Sequence, residues 1–310
     1  MKPDPVKPAP DSAGTLQTDR AAACRQWLLK QQQALQEPLL RIRRTQGNEA
    51  IHAARVAARR MRSLLRAWQR ECHPPLVAEL RFELRNLGRL LAPVREADVR
   101  RQLVASLLRS PPTDLKHATA LIMASLDQAR AAMRHTLRHE FRAARCGRLL
   151  ERIQFLTGDE RLFDIARPGD TFAADADKLR KRVRKLRRQL SKVRQNHARL
   201  HVLRIRAKAL RYRAEAVSEL GTIELTDELK FLRKCQSLLG DMHDLRLLET
   251  WCDETSLDER LRQLMMARLE LLSCRHQEGL SKLRAIRWRS SGTDEARDTV
   301  DRADRADDQP

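Results

Sequence analysis

The sequence predicts an all-α protein built from two helical bundles, and three observations carry that prediction. Gly and Pro together supply 22 of 310 residues, about 7 % against roughly 12 % in average usage, so turn chemistry is scarce. Aromatics are only 4 %, with a single Tyr, while the hydrophobic 42 % is mostly Leu, Ala and Val; strand formers are poorly represented. Several prolines and glycines fall between runs of helical periodicity, where they read as helix ends. The chain is too apolar for disorder, and no apolar run approaches the ~18 residues that a bilayer span requires.

The elements follow in order. A helix is expected at about 16–44, ending near Gly47, and Asn48 is a candidate N-cap for a second that runs to about Cys72 before Pro74 and Pro75. Shorter helices at about 76–92 and 95–109 are divided by Pro93. Pro111, Pro112 and Thr113 then open one long helical stretch to Leu156. The turn-rich segment TGDERLFDIARPGD, 157–170, reads as a linker. Beyond it, helices are expected at about 172–195, 198–219 (ended by Gly221), 226–239, 242–253 and 257–288. The halves 15–156 and 171–290 thus share one order of long, long, short, short, long, which suggests duplication, two helical bundles in one chain. Residues 1–14, with four prolines, and 291–310, with seven acids and three arginines, read as disordered tails.

Charge narrows the function. The formal net charge is +21, and 50 of the 62 cationic residues are Arg, the side chain suited to gripping oxyanions. The six cysteines, at 24, 72, 146, 235, 252 and 274, form no C-x-x-C pair and read as reduced thiols packed in helices. No apolar signal-peptide core opens the sequence, so a reducing cytoplasm is expected.

The duplication is visible in residues. The second helix of the first half contains His52, Arg55, Arg59 and Arg62; that of the second half contains His201, Arg204, Lys208 and Arg211. Both read H-x-x-R-[VI]-x-x-[RK]-x-x-R, at a constant offset of 149 residues. Downstream, Arg95 to Val99 matches Asp241 to Leu245 at an offset of 146. At about 100° per residue, His52, Arg55, Arg59, Arg62 and Arg66 share an arc of about 80°. His201, Arg204, Lys208 and Arg211 repeat it, with Glu215 in the place of Arg66. Ala54, Met61, Leu64, Leu65 and Trp68 form the opposite, core-facing stripe, as do Leu203, Leu210, Ala214 and Val217. Like charges stacked at helical spacing repel by a few tenths of a kcal/mol per pair. Two matched stripes therefore suggest a bound polyanion that offsets the repulsion.

A further basic element lies at 175–195, where ten Lys or Arg and no acid occur between Lys178 and Arg194. Leu179, Val183, Leu186, Leu190 and Val193 mark its buried seam. By angle, Arg182, Arg187 and Arg194 flank that seam and are additional candidate phosphate contacts. Asp98 and Asp244 are expected near the starts of short helices, as caps or as orienters of nearby arginines.

With the L-G-D-x-x-D run Leu239-Gly240-Asp241…Asp244, these paired segments resemble the CHAD domain, the conserved-histidine α-helical domain. The resemblance covers about 15–290 and implies two pseudo-twofold helical bundles with a basic channel at their junction. It also implies binding of inorganic polyphosphate and association with polyphosphate granules in bacterial cytoplasm. The matched positions are His52, Arg55, Arg59, Arg62, His201, Arg204, Lys208 and Arg211. The family often has Asp where Glu96 stands, which leaves Asp98 the surer match. The triphosphate-tunnel domain often fused to this family has no counterpart here, which removes the usual source of catalysis. No cofactor, metal site or catalytic residue is expected.

Other constellations are weaker. His135 and His139 have metal-compatible i, i+4 spacing but not the H-E-x-x-H order, and read as a surface pair. Neither cationic stripe interleaves the aromatics that stack nucleic-acid bases; Tyr212 is the single neighbour. Sequence-independent nucleic-acid binding is therefore the runner-up. A metal-dependent phosphohydrolase, which would need a carboxylate cluster, and an adaptor acting through its tails stand behind it.

Overall fold

The computed structural model describes residues 12–45, 47–67, 74–141, 143–159, 171–193, 196–221 and 223–285. Among these residues there are ten α-helices, one 3₁₀ turn (Thr113–Leu115) and no strand. The first six helices are α1 (Ser12–Thr45), α2 (Asn48–Ala67), α3 (Pro74–Leu90), α4 (Ala92–Leu107), α5 (Lys116–Glu140) and α6 (Ala143–Gly158). The others are α7 (Phe172–Lys192), α8 (His197–Gly221), α9 (Thr226–Glu254) and α10 (Glu259–Ala285). None is long and apolar enough to cross a membrane. The acidic tail, Arg194, Trp68 and most of the linker lie outside the described residues.

Punctuation by proline and by glycine gave different results. Pro93 separates α3 from α4 at Leu91, where only one turn intervenes. Gly240 was expected to divide 226–239 from 242–253, yet α9 runs through it unbroken. The reason is physical: an interior Gly costs about 1 kcal/mol and keeps its N–H, whereas Pro removes the donor and clashes with the preceding turn. The expected stretch 113–156 is also corrected, because the chain leaves the helix at Phe141 and resumes as α6. A straight helix of that length would run to about 65 Å at 1.5 Å per residue. By turning back, α6 packs on α1 and α3 and buries Leu149, Ile153 and Leu156. Asn48 does not act as the expected cap: α2 begins at it, and its side-chain oxygen accepts from Arg134 of α5. Residues 12–14, expected in a tail, form the first turn of α1.

Side-chain caps hold the helices of the second half. Thr171 Oγ1 accepts from Ala174 N (3.1 Å), Asn196 Oδ1 from Arg199 N (2.9 Å) and Asp258 Oδ1 from Leu261 N (3.0 Å). Gly221 closes α8 because a Cβ there would stand 2.6 Å from that of Phe172, the first residue of α7.

Three apolar cores organise the helices. The first gathers α1, α2, α3 and α6 with the C-terminal end of α5, around Leu28, Ile51, Met61, Leu80 and Leu84. The second gathers α7, α8, the first part of α9 and the end of α10, around Leu179, Leu186, Phe231 and Leu232. The third draws on both halves, joining Val104, Leu107 and Leu126 of α4 and α5 to Leu248, Met265 and Leu269 of α9 and α10. The two bundles therefore do not keep wholly separate cores. Neighbours run in matching order: α2 packs on α1 and α3, and α8 on α7 and α9. The halves meet where α2 and α1 pack on α8, and again where α4 packs on α9 and α10. Buried Asp175 of α7 strengthens the first of these contacts, meeting Arg20 of α1 at 2.9 Å and Arg213 of α8 at 3.5 Å.

Candidate anion-binding site

The apolar face of α2, with Ala54, Ala57, Ala58, Met61, Leu64 and Leu65, is buried. That burial fixes the rotation of the helix and so commits the opposite arc to the α3 and α8 side. On α8, Leu203, Ala207, Ala214 and Val217 do the same, while Leu210 is half-buried. Where the helices adjoin, the stripes bear on each other. Arg59 of α2 acts electrostatically on both Arg204 and Lys208 of α8, and Arg55 acts on Lys208.

The crowding is strongest at Lys208. Burial, then Arg204, Arg59 and Arg55, push its ammonium down to about 7, against a smaller opposing pull from Asp244. Partial burial, then Arg95, Arg59 and Arg55, hold the His52 imidazole below its usual range. Arg55 is lowered by burial and Arg59, and donates through Nη1 to the Gly88 carbonyl at 2.6 Å. His201 stacks on His243 of α9 with ring centroids 4.9 Å apart. Burial, Arg204, His201 and Lys208 together push His243 down to about 4. Burial is the largest cause of each of these shifts, and the neighbouring cations add to it.

The remaining expected residues divide. Arg62 faces α3 instead of α8; burial comes first, then Arg85, Arg59, Arg81 and Arg89, all lowering its pKa. Exposed Arg66 continues that row and acts on Arg81. Arg211 is drawn off differently: its Nη1 is 3.7 Å from Glu215 and its guanidinium lies over the Tyr212 ring, 4.9 Å from the centroid. Glu215 also meets Arg60 of α2 at 3.4 Å, so the acid that replaces the fifth cation ties the two helices together. Arg182 and Arg187 lie on α7, which packs on α8, α9 and α10. Neither is among the groups that act on Lys208.

The two aspartates are not equivalent. Neither caps a helix: Asp98 lies inside α4 and Asp244 inside α9. Asp98 is buried and pairs with Arg130 (2.9 Å) and Arg134 (3.4 Å) of α5, so it orients no motif arginine. Asp244 does, at 3.8 Å from Arg204. Burial raises its carboxyl despite Arg204 and Lys208.

Sequence reasoning missed Arg81, Arg85, Arg89, Arg95 and His243 as members of the site. The spacing Arg81, Arg85, Arg89 at i, i+4 and i+8 was the available signal. Arg55, Arg59, Arg62, Arg85 and Arg89 line a groove of about 280 Å³ between α2 and α3. A separate hollow of about 340 Å³ adjoins α8 and mixes signs, with Arg60 and Arg233 beside Glu215 and Glu219. His135 and His139 form the expected surface pair, with Nε2 atoms 3.2 Å apart. Among the described residues no three His, Cys, Asp or Glu side chains group as a metal site would require. Burial holds the Cys235 and Cys252 thiols up at about 12 and about 11.

Helical architecture and this cationic junction define a class: an all-α protein that presents two arginine-rich helix faces at the seam between its halves. The chain belongs to the CHAD domain family, whose model matches residues 26–253. Among solved structures it is similar to "PptA from Streptomyces chartreusis", at 19 % identity and a TM-score of 0.63, over 86 % of this chain and 96 % of that one. It is also similar to the CHAD domain from the plant Ricinus communis, at 22 % identity and a TM-score of 0.64, over 86 % of this chain and 92 % of that one. At these identities the likeness concerns the fold. No curated protein matches.

Proposed function

We propose that the protein binds inorganic polyphosphate at the α2–α8 junction and thereby associates with polyphosphate granules, acting as a binding module and not as an enzyme. The observation that carries this reading is the meeting of the two cationic stripes where α2 packs on α8, with Arg59 acting on both Arg204 and Lys208 and Arg55 on Lys208. A chain of repeating anions is the ligand that offsets such crowding at several points at once, and Arg grips its oxygens in bidentate fashion. The matched order of helix neighbours supports the further inference that the halves are copies of one unit. About eight phosphate contacts, at roughly −0.7 per contact by analogy with single-stranded nucleic acid, give a log–log salt slope near −6.

The test is titration of the full chain with long-chain polyphosphate. Replacing Arg55, Arg59, Arg204 and Lys208 together by Gln is expected to abolish binding and keep the helix content; unchanged affinity would refute the site. Nucleic-acid binding is the competing reading, and only its charge requirement is met here, because the motif faces carry no stacking aromatics apart from buried Tyr212. Polyphosphate is expected to displace RNA at matched phosphate concentration, and the reverse result would reassign the site. Release of phosphate with Mg²⁺ or Mn²⁺ would reassign the protein as a phosphohydrolase.

A further inference from the structure

Resting on the polyphosphate reading, we propose that the bound chain leaves the junction on one side only. It follows the groove between α2 and α3, held by Arg62, Arg85 and Arg89, and does not follow the matching face of α8 and α9.

Four observations carry this path. Arg59 belongs to both regions: it acts on Arg204 and Lys208 at the junction, and it lines the groove with Arg62, Arg85 and Arg89. All the charged residues lining that groove are arginines. The acids that α3 carries point elsewhere, with Glu83 bonded to Arg152 of α6 and Glu79 3.8 Å from the same guanidinium. Gly88 also lines the groove, and a Cβ built there meets nothing within 4 Å, so the absence of a side chain leaves space open.

On the corresponding face of the second half, Lys208 excepted, acids stand beside the cations. Arg204 has Asp244, Arg211 has Glu215, and Lys230 has Asp227 at 4.0 Å. An anion following α8 would have to displace carboxylates; one following α2 meets cations that repel each other until it arrives. From Arg55 to Arg66 the groove side of α2 rises about 17 Å, at 1.5 Å per residue. A short oligophosphate therefore fills the junction alone, while a long chain engages the groove as well.

The experiment titrates long-chain polyphosphate and tripolyphosphate into the wild type, R85Q/R89Q, K230Q/R233Q and Gly88→Leu. Two lost phosphate contacts are expected to weaken long-chain binding about tenfold in R85Q/R89Q, with a change under about threefold for tripolyphosphate. K230Q/R233Q should stay within about twofold for both ligands. Gly88→Leu places a side chain in the groove on a better helix former, so it should weaken long-chain binding without lowering the Tm. Long-chain affinity that survives in both R85Q/R89Q and Gly88→Leu, or falls equally in the two double variants, would overturn the one-sided path alone. A wild type that binds neither ligand would overturn the path and the polyphosphate reading together.

Discussion

α2 and α8 carry the same four-position stripe, yet the balance of charge around them differs, Glu96 being the acid that acts on Arg55 of α2. Around α2 stand Arg85 and Arg89 of α3 and Arg95 of α4, and the guanidiniums of Arg55 and Arg62 are depressed by burial and by their neighbours. Around α8 stand Asp244 and Glu215, each within 4 Å of a motif arginine. A shared motif therefore does not give a shared electrostatic role. The first half keeps like charges crowded, while the second half spends part of its charge on holding itself and α2 in place. Arg59 and Lys208, at the boundary, feel both halves.

Experiments that break or sharpen this contrast can be ranked by size. Arg59→Glu reverses the charge shared by both halves and is expected to weaken long-chain polyphosphate binding at least about a hundredfold. Arg211→Gln, which removes a cation already paired with Glu215, should cost less than about threefold in the same titration. Equal losses would erase the distinction between the halves.

The aspartates at corresponding positions should part in stability. Asp98→Asn removes the anion between Arg130 and Arg134 and is expected to cost about 2–3 kcal/mol, below the usual range for a buried pair because both arginines remain partly solvated. Asp244→Asn faces a carboxyl that burial already disfavours, so thermal denaturation should show a loss below about 1 kcal/mol.

Acidity gives a third contrast. In the free protein Lys208 binds its proton only below about 7, whereas an unfolded lysine holds it to about 10.5. Between those values the unfolded state carries more protons, so stability should rise with pH through that window, and Lys208→Met should flatten the rise. A polyanion has the opposite preference. Affinity should tighten as pH falls from 8 toward 7, by up to about tenfold per unit for one coupled proton. A small effect is also expected of Glu215→Gln, which releases Arg60 and Arg211 and should tighten binding by a few-fold at low salt.

Much of this was legible before any coordinates. Scarce turn residues and helical periodicity gave the all-α class, and the apolar stripe of α2 placed its cations on the opposite arc. Pro93 marked a break, whereas α9 runs through Gly240 and α1 even through Pro38, so neither residue by itself ends a helix. The end of α5 at Phe141 had no local signal; burial of Leu149, Ile153 and Leu156 turns the chain there. The arginines of α3 were hidden for a related reason. Interleaved with Glu79 and Glu83 they read as an ordinary charged face, and only packing sends the acids toward α6 and the cations toward α2. The partners of Asp98 were hidden because they lie on α5, 32 and 36 residues away.

The most direct test follows the Lys208 ε-amine by NMR, titrating pH with and without long-chain polyphosphate. Crowded cations relieved by a bound anion predict a midpoint near 7 in the free protein and a rise of at least about two units on saturation. A midpoint near 10 in the free protein, or one that saturating polyphosphate leaves unmoved, would contradict the account.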